Sequence, residues 1–309
     1  MPIFQVNNSK LVQVKEESVK LEKDIQKLTE QNLELIFGLQ FVSTEFQHNN
    51  LRIDTLAFDH ESNAFVIIEY KRDRSFSIID QGYAYLALML NNKAEFILEY
   101  NERTGKNLKR DDIDWSQSRV LFLANSFTPY QLNAINFRDL PIELWEVKPY
   151  NNETILYNQL KSPDTKESVN TISKDKTIEN VSRQVVMYTV DYHTEKSNAA
   201  TKDLFQKFRE RILAFGGDVK EEPKKFYIAY KRSTNFIDVV VNMGRYSGLK
   251  LALNLKSGTL KDPLKIARDM ANPKSIGHFG NGDYEIKVND DSNLDYIFNL
   301  IKQSYDYNT

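Results

Sequence analysis

The chain has 309 residues, no cysteine and a formal net charge of −2. This length suggests two domains, and the absence of cysteine excludes disulfides, zinc–thiolate sites and a cysteine nucleophile. The near-neutral charge predicts no global basic field, so any binding of nucleic acid has to come from local basic patches. The opening segment "MPIFQVNNSK" shows no apolar signal sequence, and no run approaches the ~18 apolar residues of a membrane helix. We therefore expect a soluble, cytoplasmic protein without a membrane partner.

Helical and strand patterns alternate in the first half of the chain. Residues 17–39 carry apolar side chains at helical spacing and predict one amphipathic helix that ends near Gly38. A second helix is predicted over residues 76–92, and a short one has Thr128 as its N-cap and Pro129 in its first turn. Strands are predicted in "QFVSTEFQ", "RIDTLAF", "FVIIEYK", "SRVLFLANSF", "PIELWEVKPY" and "ETILYNQL", whereas "KAEFILEY" fits either a strand or a helix. This order predicts the α/β class, with helices packed on a mixed sheet.

The chain changes character after the last of these strands. Residues 161–200 are polar and short of aromatic side chains, which predicts a linker with at most a short ordered piece around "VVMYTVDY". Residues 201–309 predict a smaller α+β domain, with a helix, three strands, a helix over "DPLKIARDMA", a further strand and a closing helix. The expected organisation is a first domain over residues 1–160, the linker, and an accessory second domain.

The segment "RIDTLAFDHESNAFVIIEYKRD" predicts two antiparallel strands around a polar turn. With the turn centred between residues 61 and 62, the numbers of paired residues add to 123, which puts Asp54 opposite Glu69. Side chains alternate along a strand, so Lys71 shares a face with Glu69. Two opposed carboxylates lie ~5 Å apart at Cβ and destabilise the fold unless a cation lies between them. Oxygen ligands of this kind suit Mg²⁺.

Two further residues extend this pattern into the next helix. Asp54 followed by Glu69-x-Lys71 in adjacent strands resembles the PD-(D/E)xK nuclease superfamily. Gln81 and Tyr85 are similar to the Gln-xxx-Tyr motif of its RecB-like branch, and the pattern around the hairpin looks most like the catalytic domain of NucS-type endonucleases. The resemblance implies a restriction-endonuclease-like mixed sheet flanked by helices.

This resemblance covers roughly residues 15–150 of the sequence. It departs from the motif at Ile53, where proline is usual, in a position that varies within the superfamily. Residues 201–305 resemble an uncharacterised domain that often follows nuclease-like modules and is sometimes labelled a predicted transport protein. The resemblance therefore assigns chemistry to the first domain and leaves the second domain as an accessory.

The resemblance implies a role for each motif residue. Asp54 and Glu69 would bind Mg²⁺ or Mn²⁺, and Lys71 would orient the attacking water or stabilise the transition state. Gln81 and Tyr85 would face the site, where they touch a phosphate or hold Lys71. A simpler alternative makes Lys71 a surface lysine paired with Glu69. In the same alternative, Tyr85 is a core residue and Gln81 an exposed helix residue.

A further acidic residue is expected on the first helix, as in the enzymes that the pattern resembles. Glu22, on the border of the apolar stripe, is the candidate, with Glu34 as a competitor. Glu45 is expected to approach the site from the first strand. A solvent-facing helix glutamate remains the alternative for Glu22.

Three arginines flank the hairpin strands and are candidate phosphate ligands. They are Arg52, Arg72 and Arg74. Phosphate contacts of this kind position DNA without reading its bases. Each of these arginines also fits an ordinary solvated face.

The leading functional hypothesis is a Mg²⁺-dependent nuclease that cuts DNA phosphodiester bonds, most simply an endonuclease of repair or defence. A homodimer is a further expectation, because many such nucleases work as dimers. One alternative is a non-catalytic nucleic-acid or protein binding module that retains the nuclease fold. Another, which follows the transport label, is a cytosolic subunit of a membrane complex.

Overall fold

The computed structural model divides the chain into two compact units, Met1–Met187 and Tyr188–Thr309. The described residues are 2–17, 22–48, 51–71, 77–135, 137, 139–160, 175–243, 246–272 and 281–308. None of the helices in these ranges combines the length and the apolar character needed to cross a membrane.

The first unit contains most of the helices and strands. In chain order they are β1 (Ile3–Asn7), β2 (Lys10–Val14), α1 (Glu22–Gln31), α2 (Leu33–Phe37), β3 (Gln40–His48), β4 (Leu51–Asp59), β5 (Ala64–Lys71), α3 (Ile78–Asn91), α4 (Lys93–Thr104), β6 (Arg119–Ala124), α5 (Pro129–Ala134), β7 (Ile142–Pro149), β8 (Ile155–Leu160) and α6 (Lys176–Ser182). Two short 3₁₀ helices, Arg110–Asp112 and Trp115–Gln117, precede β6.

Strands β3 to β8 form one six-stranded mixed sheet in that spatial order. Neighbours β3, β4 and β5 are antiparallel, β5, β6 and β7 are parallel, and β8 is antiparallel again. Parallel neighbours need crossover connections, and α3 with α4, and then α5, lie between the parallel strands in the chain. Residues of α3 and α4 pack in the core on one face, and Leu33 of α2 packs on the other. The predicted fold class is therefore confirmed.

Strand β5 lies in the middle of this sheet with both faces covered. Every residue from Ala64 to Tyr70 is buried, and only Lys71 at the carboxyl end is partly exposed. A strand buried on both faces has a continuous apolar sequence and no alternation. This explains the run "FVII" and leaves the polar residues at its end to be explained by the site.

The register of the β4–β5 hairpin is the predicted one. Paired residue numbers from Thr55–Ile68 to Asp59–Ala64 add to 123. Asp59 closes the turn, because its Oδ1 accepts hydrogen bonds from the backbone N–H groups of Glu61 and Ser62 at 2.9 and 3.2 Å. The apolar pairs of the two strands thus fix the register that brings Asp54 towards Glu69.

The predicted helix over residues 17–39 is two helices in its described part. It breaks at Asn32, whose backbone N–H bonds to the Thr29 carbonyl and whose side chain bonds to the Leu28 carbonyl. Local side-chain bonds of asparagine compete with the helical pattern. Gly38 caps the second helix with φ at +68°, as expected for a C-terminal glycine.

The second unit is a two-layer α+β structure. Its elements are α7 (Val190–Thr194), α8 (Ala199–Leu213), β9 (Lys220–Pro223), β10 (Ile228–Lys231), β11 (Asn235–Met243), β12 (Tyr246–Leu253), β13 (Arg268–Asp269), β14 (Tyr284–Val288) and α9 (Leu294–Tyr307). The sheet is antiparallel in the order β13-β14-β12-β11-β10-β9. Apolar residues of α8 and α9 pack with one face of it.

The helix predicted over "DPLKIARDMA" is wrong. The Asp262 carboxylate accepts hydrogen bonds from the Ala267 backbone N–H at 2.7 Å and from the Tyr296 hydroxyl at 2.6 Å. Lys265 has a positive φ of 53°, which an α-helix does not allow. This segment therefore forms a turn, and its last part joins the sheet as β13.

The described part of the range 161–200 contains helices of both units. Ile178 and Val181 of α6 are buried in the core of the first unit. Helix α7 and the start of α8 belong to the second unit. Within residues 175–200, most of the polar side chains are exposed on or beside these helices.

Helix α3 lies close to the sheet at Gly82. A Cβ atom there would lie 2.5 Å from Cδ1 and 2.9 Å from Cγ1 of buried Ile142. Alanine normally stabilises a helix relative to glycine by about 1 kcal/mol. We nevertheless expect Gly82→Ala to lower the free energy of unfolding, by up to about 2 kcal/mol, because overpacking costs about 1–3 kcal/mol and exceeds this gain. Denaturant unfolding measures this, with Ala84→Ser on the exposed side of α3 as the control; an unchanged or raised stability would contradict the close approach.

Candidate active site

The candidate site lies at the carboxyl end of β5, beside the start of β4. The regular ladder of the two strands ends at the pair Thr55–Ile68. One position further, the Asp54 side chain continues the pairing in place of the backbone. Its Oδ2 accepts a hydrogen bond from the Tyr70 backbone N–H at 3.1 Å. Asp54 is thereby fixed to the strand that carries Glu69.

Glu69 is buried and only half of its carboxylate is satisfied. Its Oε1 accepts hydrogen bonds from Lys71 Nζ at 2.8 Å and from Gln81 Nε2 at 3.2 Å. Its Oε2 is buried and has no hydrogen-bond partner among the described residues. An unsatisfied buried polar atom costs about 1–3 kcal/mol, so this oxygen indicates a place where a cation or a donor belongs.

Burial raises the pKa of both carboxyl groups. For Glu69 the neighbouring charge of Asp54 adds to the effect of burial, and the hydrogen bond and charge of Lys71 oppose it. For Asp54 the hydrogen bond from Tyr70 and the charge of Lys71 oppose burial, and the charge of Glu45 adds to it. Two partly desolvated carboxylates side by side are unfavourable unless a positive charge is shared between them.

Gln81 and Tyr85 connect the site to α3. They lie one turn apart, and Gln81 Nε2 donates to the Tyr85 hydroxyl at 3.0 Å as well as to Glu69. The Tyr85 hydroxyl donates in turn to the Arg52 backbone carbonyl at 3.2 Å. The Tyr85 ring is buried in the core, and its hydroxyl belongs to this chain of hydrogen bonds. Its role at the site stays a prediction.

Glu22 lies in the first turn of α1 and is exposed. Helix α1 contacts the strands at the site through Gln26, one turn later, and through Glu30, whose Oε1 accepts from Thr55 Oγ1 next to Asp54 at 2.6 Å. Neither residue was predicted from the sequence. Gln26 Nε2 lies 3.0 Å from the Asp54 carbonyl and 3.1 Å from Thr44 Oγ1. The available signal was a polar residue on the buried face of an amphipathic helix. The role of Glu22 stays a prediction.

One of the three candidate arginines lies among the described residues. Arg52 lies two residues before Asp54, and its guanidinium pairs with Glu45 at 2.8 Å. Arg72 and Arg74 lie outside the described residues. Of the three arginines, Arg52 is the one that the described residues place beside Asp54.

The donor set at the site fits a hard divalent cation with few protein ligands. Within the described ranges, no cluster of three or more His, Asp or Glu side chains has the arrangement of a metal site. Asp54 and Glu69 would supply two carboxylates, and the orphaned Glu69 Oε2 is an available ligand atom. Mg²⁺ is usually held by one or two carboxylates and keeps several waters, so two carboxylates suffice.

Tyr85→Phe is expected to shift the acid limb of any cleavage activity to higher pH. The Tyr85 hydroxyl holds the Gln81 amide, which donates to Glu69 Oε1, and in this way it helps to lower the pKa of Glu69. Loss of the hydroxyl therefore raises the pH at which Glu69 ionises. We expect a rate decrease of about tenfold, the size of one hydrogen bond to a charged group. The pH–rate profile checks this, and Tyr83→Phe is the control. Tyr83 lies on the same helix as Tyr85, and its buried hydroxyl lies 3.5 Å from Ser182 Oγ on α6. A profile unchanged by Tyr85→Phe would contradict the role.

The chain is 42% identical, over 305 residues, to an uncharacterised protein of Haemophilus influenzae, and the match covers 98% of this chain and 99% of that protein. The chain belongs to the family of this protein. Residues 190–308, in the second unit, match the model of a domain of unknown function, DUF5655.

Three solved structures show weak likeness to this chain, each with a TM-score of 0.23. A repair endonuclease from Pyrococcus abyssi is 18% identical, and the match covers 43% of this chain and 49% of that one. The EndoMS–DNA complex is 19% identical over 42% and 47% of the two chains. SfsA of Pyrococcus furiosus, in complex with Ca²⁺, is 15% identical over 46% and 63%. The chain thus spans less than two thirds of the length of each of these proteins. A TM-score of 0.23 does not indicate a shared activity.

Proposed function

We propose that the first unit is a Mg²⁺- or Mn²⁺-dependent nuclease that hydrolyses DNA phosphodiester bonds. The observation that carries the proposal is the buried Oε2 of Glu69, which has no hydrogen-bond partner among the residues that the structure describes. It lies in a carboxylate that neighbours Asp54 and holds the Lys71 ammonium at 2.8 Å. A purely structural Lys71–Glu69 pair needs one carboxylate. The second one, Asp54, adds a partly buried negative charge that destabilises the fold when no cation compensates it.

Each residue of the site has a role in this proposal. Asp54 and Glu69 would hold the cation, which when bound lowers the pKa of a water molecule and stabilises charge on the phosphate. Lys71, held by Glu69, donates to the scissile phosphate or orients the water. Gln81 and Tyr85 keep the Glu69 carboxylate in place through their hydrogen bonds.

The placement of the site also supports a polymeric substrate. Lys71 is at the carboxyl end of β5, and its parallel neighbour β6 ends at Ala124, directly beside it. Ligands of open α/β sheets bind outside the carboxyl ends of parallel strands. A phosphodiester chain can enter at such an edge, with Arg52 contacting a phosphate beside the one that is cut.

Incubation with labelled nucleic acids tests the proposal. The wild type and Glu69→Gln are incubated with single-stranded, double-stranded and branched DNA and with RNA, in Mg²⁺, Mn²⁺ or EDTA. We expect the wild type to cleave at least one DNA form with a divalent cation, and neither Glu69→Gln nor the EDTA samples to cleave. Metal-independent cleavage, or cleavage by Glu69→Gln at the wild-type rate, would refute the proposal. Binding by the wild type without cleavage would favour the non-catalytic module.

A further inference from the structure

Three carboxylates lie in a row across neighbouring strands at the site. They are Glu45 on β3, Asp54 on β4 and Glu69 on β5. Ladder partners on either side of Glu45, at Thr44–Thr55 and Phe46–Ile53, put Glu45 opposite Asp54. The hairpin register puts Asp54 opposite Glu69 in the same way.

A cation pairs with the carboxylate at each end of this row. Lys71 pairs with Glu69 at 2.8 Å, and Arg52 pairs with Glu45 at 2.8 Å. The first pair is largely buried, with 20% of the Lys71 and 6% of the Glu69 side chain exposed. The second is open to solvent, with 54% of the Arg52 and 36% of the Glu45 side chain exposed. The two pairs therefore differ in how strongly water screens them, and the Arg52–Glu45 pair is the weaker one.

The exposed pair is weak and can be exchanged. Solvent-exposed ion pairs contribute only about 0–1 kcal/mol. A phosphate, by contrast, accepts two parallel hydrogen bonds from a guanidinium and carries its own charge. A phosphodiester that reaches Arg52 can thus displace Glu45 at little cost, whereas Lys71 stays fixed by its buried partner.

The backbone is hydrogen-bonded to the site at Arg52 and adopts an unusual conformation at Glu45. The Arg52 carbonyl accepts a hydrogen bond from Tyr85, the residue that also contacts Gln81. Glu45 has a φ of +54°, in the left-handed region that a non-glycine residue adopts at a cost of about 1–2 kcal/mol. Strain of this kind collects at functional sites.

We propose that Glu45 is the resting counter-ion of Arg52, and that a phosphate of the nucleic acid replaces Glu45 when it binds to Arg52. Glu45 is then a positioning residue that sets the affinity of the site for phosphodiesters. The inference rests on the proposed function, since it needs a nucleic acid at this edge of the sheet.

Binding of fluorescein-labelled DNA, duplex and single-stranded, is measured by anisotropy in Ca²⁺, which takes the same oxygen ligands as Mg²⁺. Four forms are compared: the wild type, Glu45→Gln, Arg52→Gln and the double variant. We expect Glu45→Gln to tighten binding about threefold to fivefold, the size of a lost exposed pair. Arg52→Gln is expected to weaken binding about tenfold, and the double variant is expected to bind like Arg52→Gln alone.

The double variant separates exchange from simple repulsion. If Glu45 only repels DNA, Glu45→Gln tightens binding by the same factor with or without Arg52, and the proposal is overturned. It is also overturned if Arg52→Gln binds like the wild type. The control is Glu179→Gln, which breaks another exposed arginine pair, with Arg183 on α6, and is expected to leave the affinity unchanged.

The salt dependence of binding gives a second readout. Loss of one phosphate contact makes the negative slope of log K against log salt less steep by about 0.7–0.9. We expect this decrease for Arg52→Gln and none for Glu45→Gln. If DNA binds to the wild type and these differences are absent, the inference fails alone. If the wild type binds neither DNA form, the inference fails, and the proposed function fails with it when no DNA form is cleaved in the assay described above.

Discussion

Lys71→Met is expected to lower the rate of Mg²⁺-dependent DNA cleavage by about 10²–10³-fold, the effect of removing one preorganised donor from a transition state. The same variant is expected to keep the Mn²⁺ site, because the ammonium group is not a ligand of the cation. The Lys71 ammonium bonds to the Glu69 carboxylate at 2.8 Å, so methionine keeps the stem of the side chain and removes the charge. Single-turnover cleavage rates and Mn²⁺ titration measure the two properties separately.

Lys148→Met is the matched control for Lys71→Met. Glu146 and Lys148 on β7 repeat the Glu-x-Lys spacing and form an ion pair at 3.0 Å. Their side chains are both partly exposed. We expect Lys148→Met to cleave DNA at the wild-type rate. Equal losses in both lysine variants, or full activity of Lys71→Met, would show that Lys71 has no special role in the chemistry.

Glu69→Gln is expected to raise the free energy of unfolding of the metal-free protein by about 1–3 kcal/mol at mildly alkaline pH. Glutamine removes a buried negative charge next to Asp54 and keeps an oxygen that can accept from Lys71 and Gln81. Its N–H₂ group takes the position of Oε2 and is a donor beside the Asp54 carboxylate, so the desolvation penalty of Oε2, about 1–3 kcal/mol, is relieved. In saturating Mn²⁺ the difference is expected to shrink or reverse, because only the wild type gains stability by binding the cation. Denaturant unfolding in EDTA and in Mn²⁺ measures both.

The stability difference also depends on pH with a defined sign. Burial raises the folded-state pKa values of Glu69 and Asp54 above their ordinary values of 4.5 and 3.8. Their contribution to stability is therefore complete below the ordinary pKa values and is lost as the pH rises through the raised ones. Relative to Glu69→Gln, the metal-free wild type is expected to become less stable as the pH rises from 4 towards neutrality.

Glu143→Gln is the control for this stability measurement. Glu143 is also a partly buried carboxylate, but its oxygens accept from Arg119 at 2.9 Å, Trp145 at 2.9 Å and Gln159 at 3.0 Å. Removal of one partner from such a satisfied network destabilises the fold. Glu143→Gln is thus expected to lower stability where Glu69→Gln raises it. A Glu69→Gln variant less stable than the wild type in EDTA would contradict the view that Glu69 is kept for binding.

The register of the hairpin was predictable from the sequence because apolar pairs determine it. Leu56 faces Ile67 and Phe58 faces Phe65, and a slip of one residue would move one strand's side chains to the other covered face, where smaller residues such as Ala57 and Val66 pack. The arrangement of Asp54 beside Glu69 then follows from the side-chain period of a strand. In the same way, Thr128 and Pro129 predicted the start of α5, which has a complete capping box.

The Glu-x-Lys pattern alone was not sufficient to predict the site. Glu146-x-Lys148 has the same spacing on β7, two strands away from β5 in the same sheet. What distinguishes Glu69 is its burial and the unpartnered Oε2. Burial depends on how helices cover the sheet, which residue spacing within one strand does not determine.

Other contacts depend on tertiary packing and were missed for that reason. Gln26 approaches the Asp54 carbonyl across a gap of 28 residues, and α1 had been expected to contribute an acidic residue there. The break at Asn32 and the turn at Asp262 arise from side-chain hydrogen bonds that compete with helical ones. Periodicity of apolar residues does not contain this information.

The central claim is that Asp54 and Glu69 together hold a divalent cation. Calorimetric titration of the metal-free protein with Mn²⁺ tests it most directly, with the wild type compared to Asp54→Asn and with Lys148→Met as the control. We expect a Mn²⁺ site in the wild type and in Lys148→Met that is lost in Asp54→Asn, and whose affinity falls as the pH drops, because protons compete for the two carboxylates. Equal Mn²⁺ binding by the wild type and Asp54→Asn, or no binding by either, would contradict the claim.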